Sequence, residues 1–122
     1  MQTQMTIFDL LRQKDLDEMP EEDMVREVSS RIGIVFQWVA YPPSKYNEGR
    51  GEWVAKYKGL RLTVGFDTNV DGEKYIGTGY DYPKEKSGGG APCEDIDEAV
   101  DWFNRVISRY VRKGGQYEER TA

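Results

Sequence analysis

Apolar positions change period along the chain, and each change marks an element. Ile7, Phe8, Leu10 and Leu11 lie on one face of a short helix that Thr6 and Asp9 would cap. Met24, Val25, Val28 and Ile32 recur at helical spacing, with Pro20 suited to the first helical position and Gly33 to the stop. Residues 34–40 are apolar, β-branched and aromatic apart from Gln37, the signature of a buried strand, and Tyr41-Pro42-Pro43 ends it because successive prolines cannot continue a ladder. Alternation then appears in residues 52–58 and 60–67 at once. A two-residue turn at Lys58-Gly59 sets Tyr57 opposite Leu60, Ala55 opposite Leu62 and Trp53 opposite Val64, leaving Lys56 facing Arg61 and Val54 facing Thr63 on the other side. Residues 73–81 read as a fourth strand whose inward face is either Tyr75 or the set Ile76, Thr78 and Tyr80. Ile96, Ala99, Val100, Phe103, Val106, Ile107, Tyr110 and Val111 form one apolar helical face, which Gly114-Gly115 terminates.

The expected fold is α+β: a four-stranded antiparallel meander with a C-terminal helix across one face and two short N-terminal helices. Residues 1–19 supply a short helix and an acidic linker, residues 20–114 a single domain, and residues 115–122 a disordered tail. The segment SGGGAPC, 87–93, is expected to be a mobile crossing from the last strand to the helix. The second face of the sheet is left either to solvent or to another copy of the chain, so a homo-oligomer stays open.

Charge narrows the partners. The 122 residues carry 17 Lys and Arg against 22 Asp and Glu, a net charge of −5, which disfavours non-specific attraction to phosphate backbones and acidic membranes and suits a basic protein surface. The crowd of carboxylates at Asp15, Asp17, Glu18, Glu21, Glu22 and Asp23 is read as dipole matching and solvation, with mimicry of a phosphate backbone as the sharper alternative. No apolar run reaches the roughly 20 residues of a spanning helix, and the first residues lack the basic and apolar parts of a signal peptide, so a cytoplasmic location is expected.

Chemistry is narrowed further by absences in the sequence itself. The chain has no histidine, which excludes imidazole acid–base catalysis, histidine-dependent triads and His-ligated zinc. Cys93 is the one cysteine, so neither an internal disulfide nor a cysteine-based zinc site can form, and it reads as an inert small residue. Asp67-Thr-Asn69-Val-Asp71-Gly72 matches the first half of a calcium loop, but the position for the bidentate glutamate is Thr78 and the flanks are strands, so the stretch is read as a hairpin loop. Gly77-Thr78-Gly79 is a fragment of a dinucleotide fingerprint without its third glycine or its helix. No enzyme activity and no cofactor are expected.

Two groups of residues remain as candidate binding sites. Tyr41, Lys45, Tyr46 and Arg50 populate the long loop after the first strand, and long loops bearing aromatic and basic side chains are recognition loops. Tyr80 and Tyr82 could stack on a base, Lys84 and Lys86 neutralise phosphate, and Ser87, Gly88, Gly89 and Gly90 offer backbone donors. Glu94, Asp95, Asp97 and Glu98 already occupy the positive end of the last helix, so an anion would be repelled there. The ridge Arg105, Arg109 and Arg112 either contacts phosphates or pairs with acidic side chains, and direct nucleic-acid binding is not expected from it alone.

With TIFDLL at the start, a PEEDM-type second helix, YKGLRLTVGFD in the middle and SGGGAPCEDIDEAVDWF near the end, the chain resembles a loose set of small proteins of bacteriophages and integrative elements of Firmicutes. The resemblance transfers no activity or site residue. It implies a setting in which small acidic proteins act against host defences. The expected function is therefore a non-enzymatic inhibitor of a host defence protein, such as a CRISPR effector. The alternative is a binder that sequesters a nucleotide-like signal.

Overall fold

Local chemistry accounts for both long helices of the computed structural model, which describes residues 16–45, 49–83 and 87–113. Helix α1, Glu21–Ile32, follows Pro20, carries Glu21, Glu22 and Asp23 in its first turn, and ends at Gly33, whose φ of 75° is the left-handed conformation that frees the carbonyl of Ser29 to accept its N–H. Its apolar stripe, Met24, Val25 and Val28, is buried.

Five strands follow: β1 (Gln37–Ala40), β2 (Gly51–Tyr57), β3 (Leu60–Thr68), β4 (Lys74–Asp81) and β5 (Gly88–Cys93). They form one antiparallel sheet in the order β1-β2-β3-β4-β5, so the α+β meander is as expected but has a fifth strand. That fifth strand is the glycine segment expected to be a mobile crossing. Gly88 pairs with Asp81, Gly90 with Gly79 and Cys93 with Ile76, so backbone pairing recruits it to the edge of β4, with the Thr78 hydroxyl and the buried Cys93 as its side-chain anchors. A run of three glycines followed by Ala-Pro carries no side-chain alternation, and Gly and Pro are depleted in strands, which is why its sequence reads as loop.

The β2–β3 hairpin has the expected register pair for pair, from Trp53 opposite Val64 to Tyr57 opposite Leu60. Lys58 at φ 49° and Gly59 at φ 90° supply the two positive dihedrals of a tight turn whose twist matches the strands. In β4 the inward set is Ile76, Thr78 and Tyr80, since Ile76 and Thr78 are buried and the Thr78 hydroxyl donates to the Ala91 carbonyl at 2.8 Å. Between β3 and β4 the Asn69 side chain accepts from the N–H groups of Asp71 and Glu73 at 2.9 and 3.0 Å, which holds the loop as a turn.

Helix α2, Ile96–Arg112, is capped by Asp95, which accepts from Glu98 N–H at 2.8 Å, while Glu98 reaches back to accept from Glu94 N–H at 3.0 Å. Its buried face is Ala99, Val100, Phe103, Val106 and Tyr110. Val111, expected on that face, is 48% exposed in the last turn. Phe103 and Tyr110 are fully buried, each contributing about 1.5–3 kcal/mol, and the Tyr110 hydroxyl donates to the Lys58 carbonyl at 2.5 Å. The two helices pack against each other, α1 over β3 and α2 over β4 and β5, so the core of Leu60, Leu62, Val64, Ile76 and Cys93 lies under them. Arg31 near the end of α1 meets Asp97 in the first turn of α2 at 2.7 Å.

The sequence reading is corrected at β1. Residues 34–40 were expected to form a buried strand, yet only Gln37–Ala40 is strand and all four of its residues are exposed; Phe36, just before it, is the buried one, 5.5 Å from the Phe103 ring. The reason is topological: β1 is an edge strand, and the helices pack chiefly over β3, β4 and β5. The expected helix at Thr6, the Gly114-Gly115 stop and the tail lie outside the described residues. Leu16, assigned to the acidic linker by sequence, is buried in the core, and Lys74 Nζ donates to its carbonyl at 3.3 Å.

Candidate functional site

The structure separates the sequence-predicted site residues into three places. Tyr41, Lys45 and Arg50 are exposed beyond the β1–β2 edge, where Tyr41 N–H donates to the Arg50 carbonyl at 2.8 Å. Tyr80, Gly89 and Gly90 line a cleft between the sheet and α2. Tyr82 is buried, its ring stacked 5.9 Å from Tyr110, and is unavailable to a ligand; its N–H donates to the carbonyl of the exposed Ser87 at 2.9 Å. Gly88 opens β5. Tyr46, Lys84 and Lys86 lie outside the described residues.

The first place is an apolar surface. α1 lies over β3, so the helix-facing side of β1 and the edge of β2 is left uncovered, and Trp38 and Trp53 sit there edge to face at 5.3 Å. Trp38 is 51% exposed and Val35, just ahead of the strand, 73%; Val39 and Tyr41 follow on the same edge. An open groove of about 580 Å³ runs beside them, lined by Val25, Ser29, Val35, Phe36 and Trp53 and rimmed by Glu22 and Arg26. Its acidic end contains a clamp that sequence reasoning missed. Glu21 is half-buried, accepting from Trp53 Nε1 at 3.1 Å and from Phe66 N–H at 2.8 Å, so this carboxylate is structural rather than part of a solvated run.

On the opposite face of the sheet, Arg61 is the hub of a polar network. It donates to Glu52, to Asp81 at 3.3 Å and to the Tyr41 hydroxyl at 3.2 Å, and that hydroxyl donates to Glu52. The juxtaposition of Lys56 with Arg61 is thereby neutralised on the Arg61 side. Burial pushes the Glu52 carboxyl up, but hydrogen bonds from Tyr41 and Arg61 and the guanidinium charge outweigh it and hold the group below its ordinary range. The hydrogen bond to Glu52 raises the Tyr41 phenol, so it stays a proton donor rather than a base or nucleophile. The network ties the end of β1 to β2, β3 and β4. Its charges satisfy one another, and Glu52 also borders an open hollow of about 310 Å³ on the sheet with Thr63, Gly65, Asp67 and Gly77.

The second place is the cleft of about 250 Å³ lined by Tyr80, Gly89, Gly90, Trp102, Arg105, Val106 and Arg109. Trp102 lies 5.8 Å from the Tyr80 ring, and Arg105 and Arg109 follow it at i+3 and i+7 along α2, one stripe of the helix surface. Sequence reasoning read the arginines as a ridge and the glycines as a loop without joining them, because only the pairing of β5 brings the two together. Cys93 lies in the core at 1% exposure, and burial pushes its thiol up, consistent with an inert residue.

Among the described residues, no group of His, Cys, Asp and Glu side chains is arranged to hold a metal ion, and no helix is long and apolar enough to cross a membrane. Comparison with protein-family models, curated proteins and solved structures returned no match.

Proposed function

We propose that this protein is a non-enzymatic binding protein that acts in the cytoplasm of a bacterial host by occupying a surface of a host defence protein. The observation that carries the reading is the uncovered edge at β1: Val35 and Trp38 are exposed on the helix-facing side, with Val35 and Trp53 lining the groove along α1, while Val39 and Tyr41 are exposed on the other face of the same edge. Contiguous apolar exposure of this kind marks protein–protein contact, and aromatic residues are enriched in binding hot spots. Among the described residues no strand pairs with the outer side of β1, and that edge adds backbone donors and acceptors for strand addition. Glu22, Asp23 and Glu27 are exposed on the neighbouring helix, and with a net charge of −5 they favour a partner whose contact surface is apolar and basic. The resemblance to small phage and integrative-element proteins supplies the setting, in which a CRISPR effector is a representative target.

The test is affinity capture from a natural host, with wild-type protein and a Trp38→Glu variant in parallel. The expected result is one nuclease or other defence protein recovered by the wild type and lost with the variant, together with loss of that protein's activity when the wild type is expressed. Recovery unaffected by Trp38→Glu, or no enriched defence protein, would remove the reading.

A further inference from the structure

At the opposite edge of the sheet from β1, and independently of the protein-binding reading, we propose that the cleft between β5 and α2 binds a small aromatic anion of the nucleoside monophosphate class. The walls of this cleft are aromatic: Tyr80 and Trp102 stand 5.8 Å apart at 51°, both half-buried and so presenting part of each ring to solvent. The rim is cationic. Arg105 and Arg109 sit one turn apart on the exposed side of α2; Arg105 shares Asp101 at 3.2 Å in a solvent-exposed pair, and Arg109 has no acidic partner among the described residues. Lys113, one turn on, places its ammonium over the Tyr82 ring at 5.8 Å, so this end of α2 is basic in a protein whose net charge is −5.

The floor is the backbone of β5. A side chain at position 89 would begin 3.1 Å from the Tyr80 ring and project into the space between sheet and helix, so glycine there keeps the cleft open. Glycine weakens a strand, and its use at an edge facing an aromatic pair fits a place that another group approaches closely. Among the described residues no strand pairs with the outer edge of β5, whose backbone N–H and C=O groups can meet the heteroatoms of a base.

Each part of a nucleoside monophosphate has a counterpart here. The base has the indole and phenol faces, and the phosphate has the planar guanidinium of Arg109, whose donors match two phosphate oxygens at once. The volume of about 250 Å³ is just under the usual range for small-ligand sites, so the open cleft would take the base and leave the phosphate at the arginine rim, and it is too small to enclose a dinucleotide. Lone phosphate would forgo the rings and a lone nucleoside the arginines, so affinity requires both halves in one molecule.

The experiment is isothermal titration of the intact chain with AMP, GMP, CMP and UMP, with adenosine, inorganic phosphate and a single-stranded oligonucleotide as controls. At least one monophosphate is expected to bind with Kd below about 1 mM, and the corresponding free phosphate about tenfold or more weakly. Arg109→Gln, an exposed change that leaves the core intact, is expected to weaken binding about tenfold, and Gly89→Val, which fills the cleft, to abolish it while circular dichroism confirms the fold. Flat titrations with all four monophosphates overturn the proposal. So does binding that Arg109→Gln leaves unchanged, or tight binding of the oligonucleotide alone, which would make the ridge a polynucleotide contact. Because Trp38→Glu lies on the other edge, its failure to affect nucleotide binding separates this site from the protein-binding surface.

Discussion

Removing the carboxylate of Glu21 tests whether the acidic start of α1 is a dipole feature or a structural clamp. The β2–β3 ladder stops at Trp53 opposite Val64, and beyond it the N–H of Phe66 donates to one Glu21 oxygen while Trp53 Nε1 donates to the other. Glu21→Ala leaves both donors without their acceptor. Hydrogen bonds to a charged group contribute about 1.5–3 kcal/mol each, and partial exposure of this site favours the lower end, giving a loss of about 3 kcal/mol for the two. Glu21→Gln retains one acceptor oxygen but not the second, and is expected to cost about half as much. Glu22→Ala is the control: it removes an equal charge from the same turn, but its partner Arg26 is 3.6 Å away with both side chains exposed, so the cost is about 0.5 kcal/mol. For a domain of this size the Glu21→Ala loss corresponds to a Tm lowered by about 10–20 °C, read by thermal circular dichroism and cross-checked by urea midpoints. Equal, small losses for Glu21→Ala and Glu22→Ala would refute the clamp and restore the solvated reading of the acidic run.

The remaining predictions concern turn geometry, acid response and thiol chemistry. Gly59→Ala imposes a side chain at φ 90° and is expected to lower stability by about 1 kcal/mol or more, measured by urea denaturation; an unchanged midpoint would contradict the tight-turn geometry. Because the folded-state value of Glu52 is depressed, its contribution is present above the ordinary glutamate range of about 4.3 and is lost as pH falls through the lower folded value. Denaturation midpoints from pH 7 to pH 3 should therefore fall more steeply for the wild type than for Glu52→Gln, and parallel curves would argue against the Tyr41–Glu52–Arg61 network. Cys93 is expected to resist a thiol reagent in the native state and to react at least about tenfold faster in denaturant; fast native labelling would contradict its burial.

Much of the fold was legible because its signals are local. The hairpin register follows from two alternating runs and a Lys-Gly turn, and both long helices follow from apolar stripes and end chemistry: Gly33 for one, Asp95 with Glu98 for the other. Each of these depends on residues a few positions apart, where spacing in sequence equals spacing in space. Of the candidate sites, the sequence identified Tyr41, Tyr80 and the glycines, since aromatic and glycine residues stand out by type alone.

What only the tertiary structure decided is set by neighbours distant in the chain. The glycine segment became β5 because the edge of β4 supplies backbone partners, and no side-chain pattern announces such a pairing. Residues 37–40 became exposed, while Phe36 just before them is buried, because the helices pack over β3, β4 and β5. Arg61 gained Glu52 and Asp81, and Glu21 gained Trp53 and Phe66, through contacts that span between 9 and 45 positions. The same long-range closure gathers Tyr80, Gly89 and Arg109 around one cleft. Hydrophobic periodicity specifies which face of an element is buried, but which elements meet, and so which polar groups face each other, is decided only when the chain closes on itself.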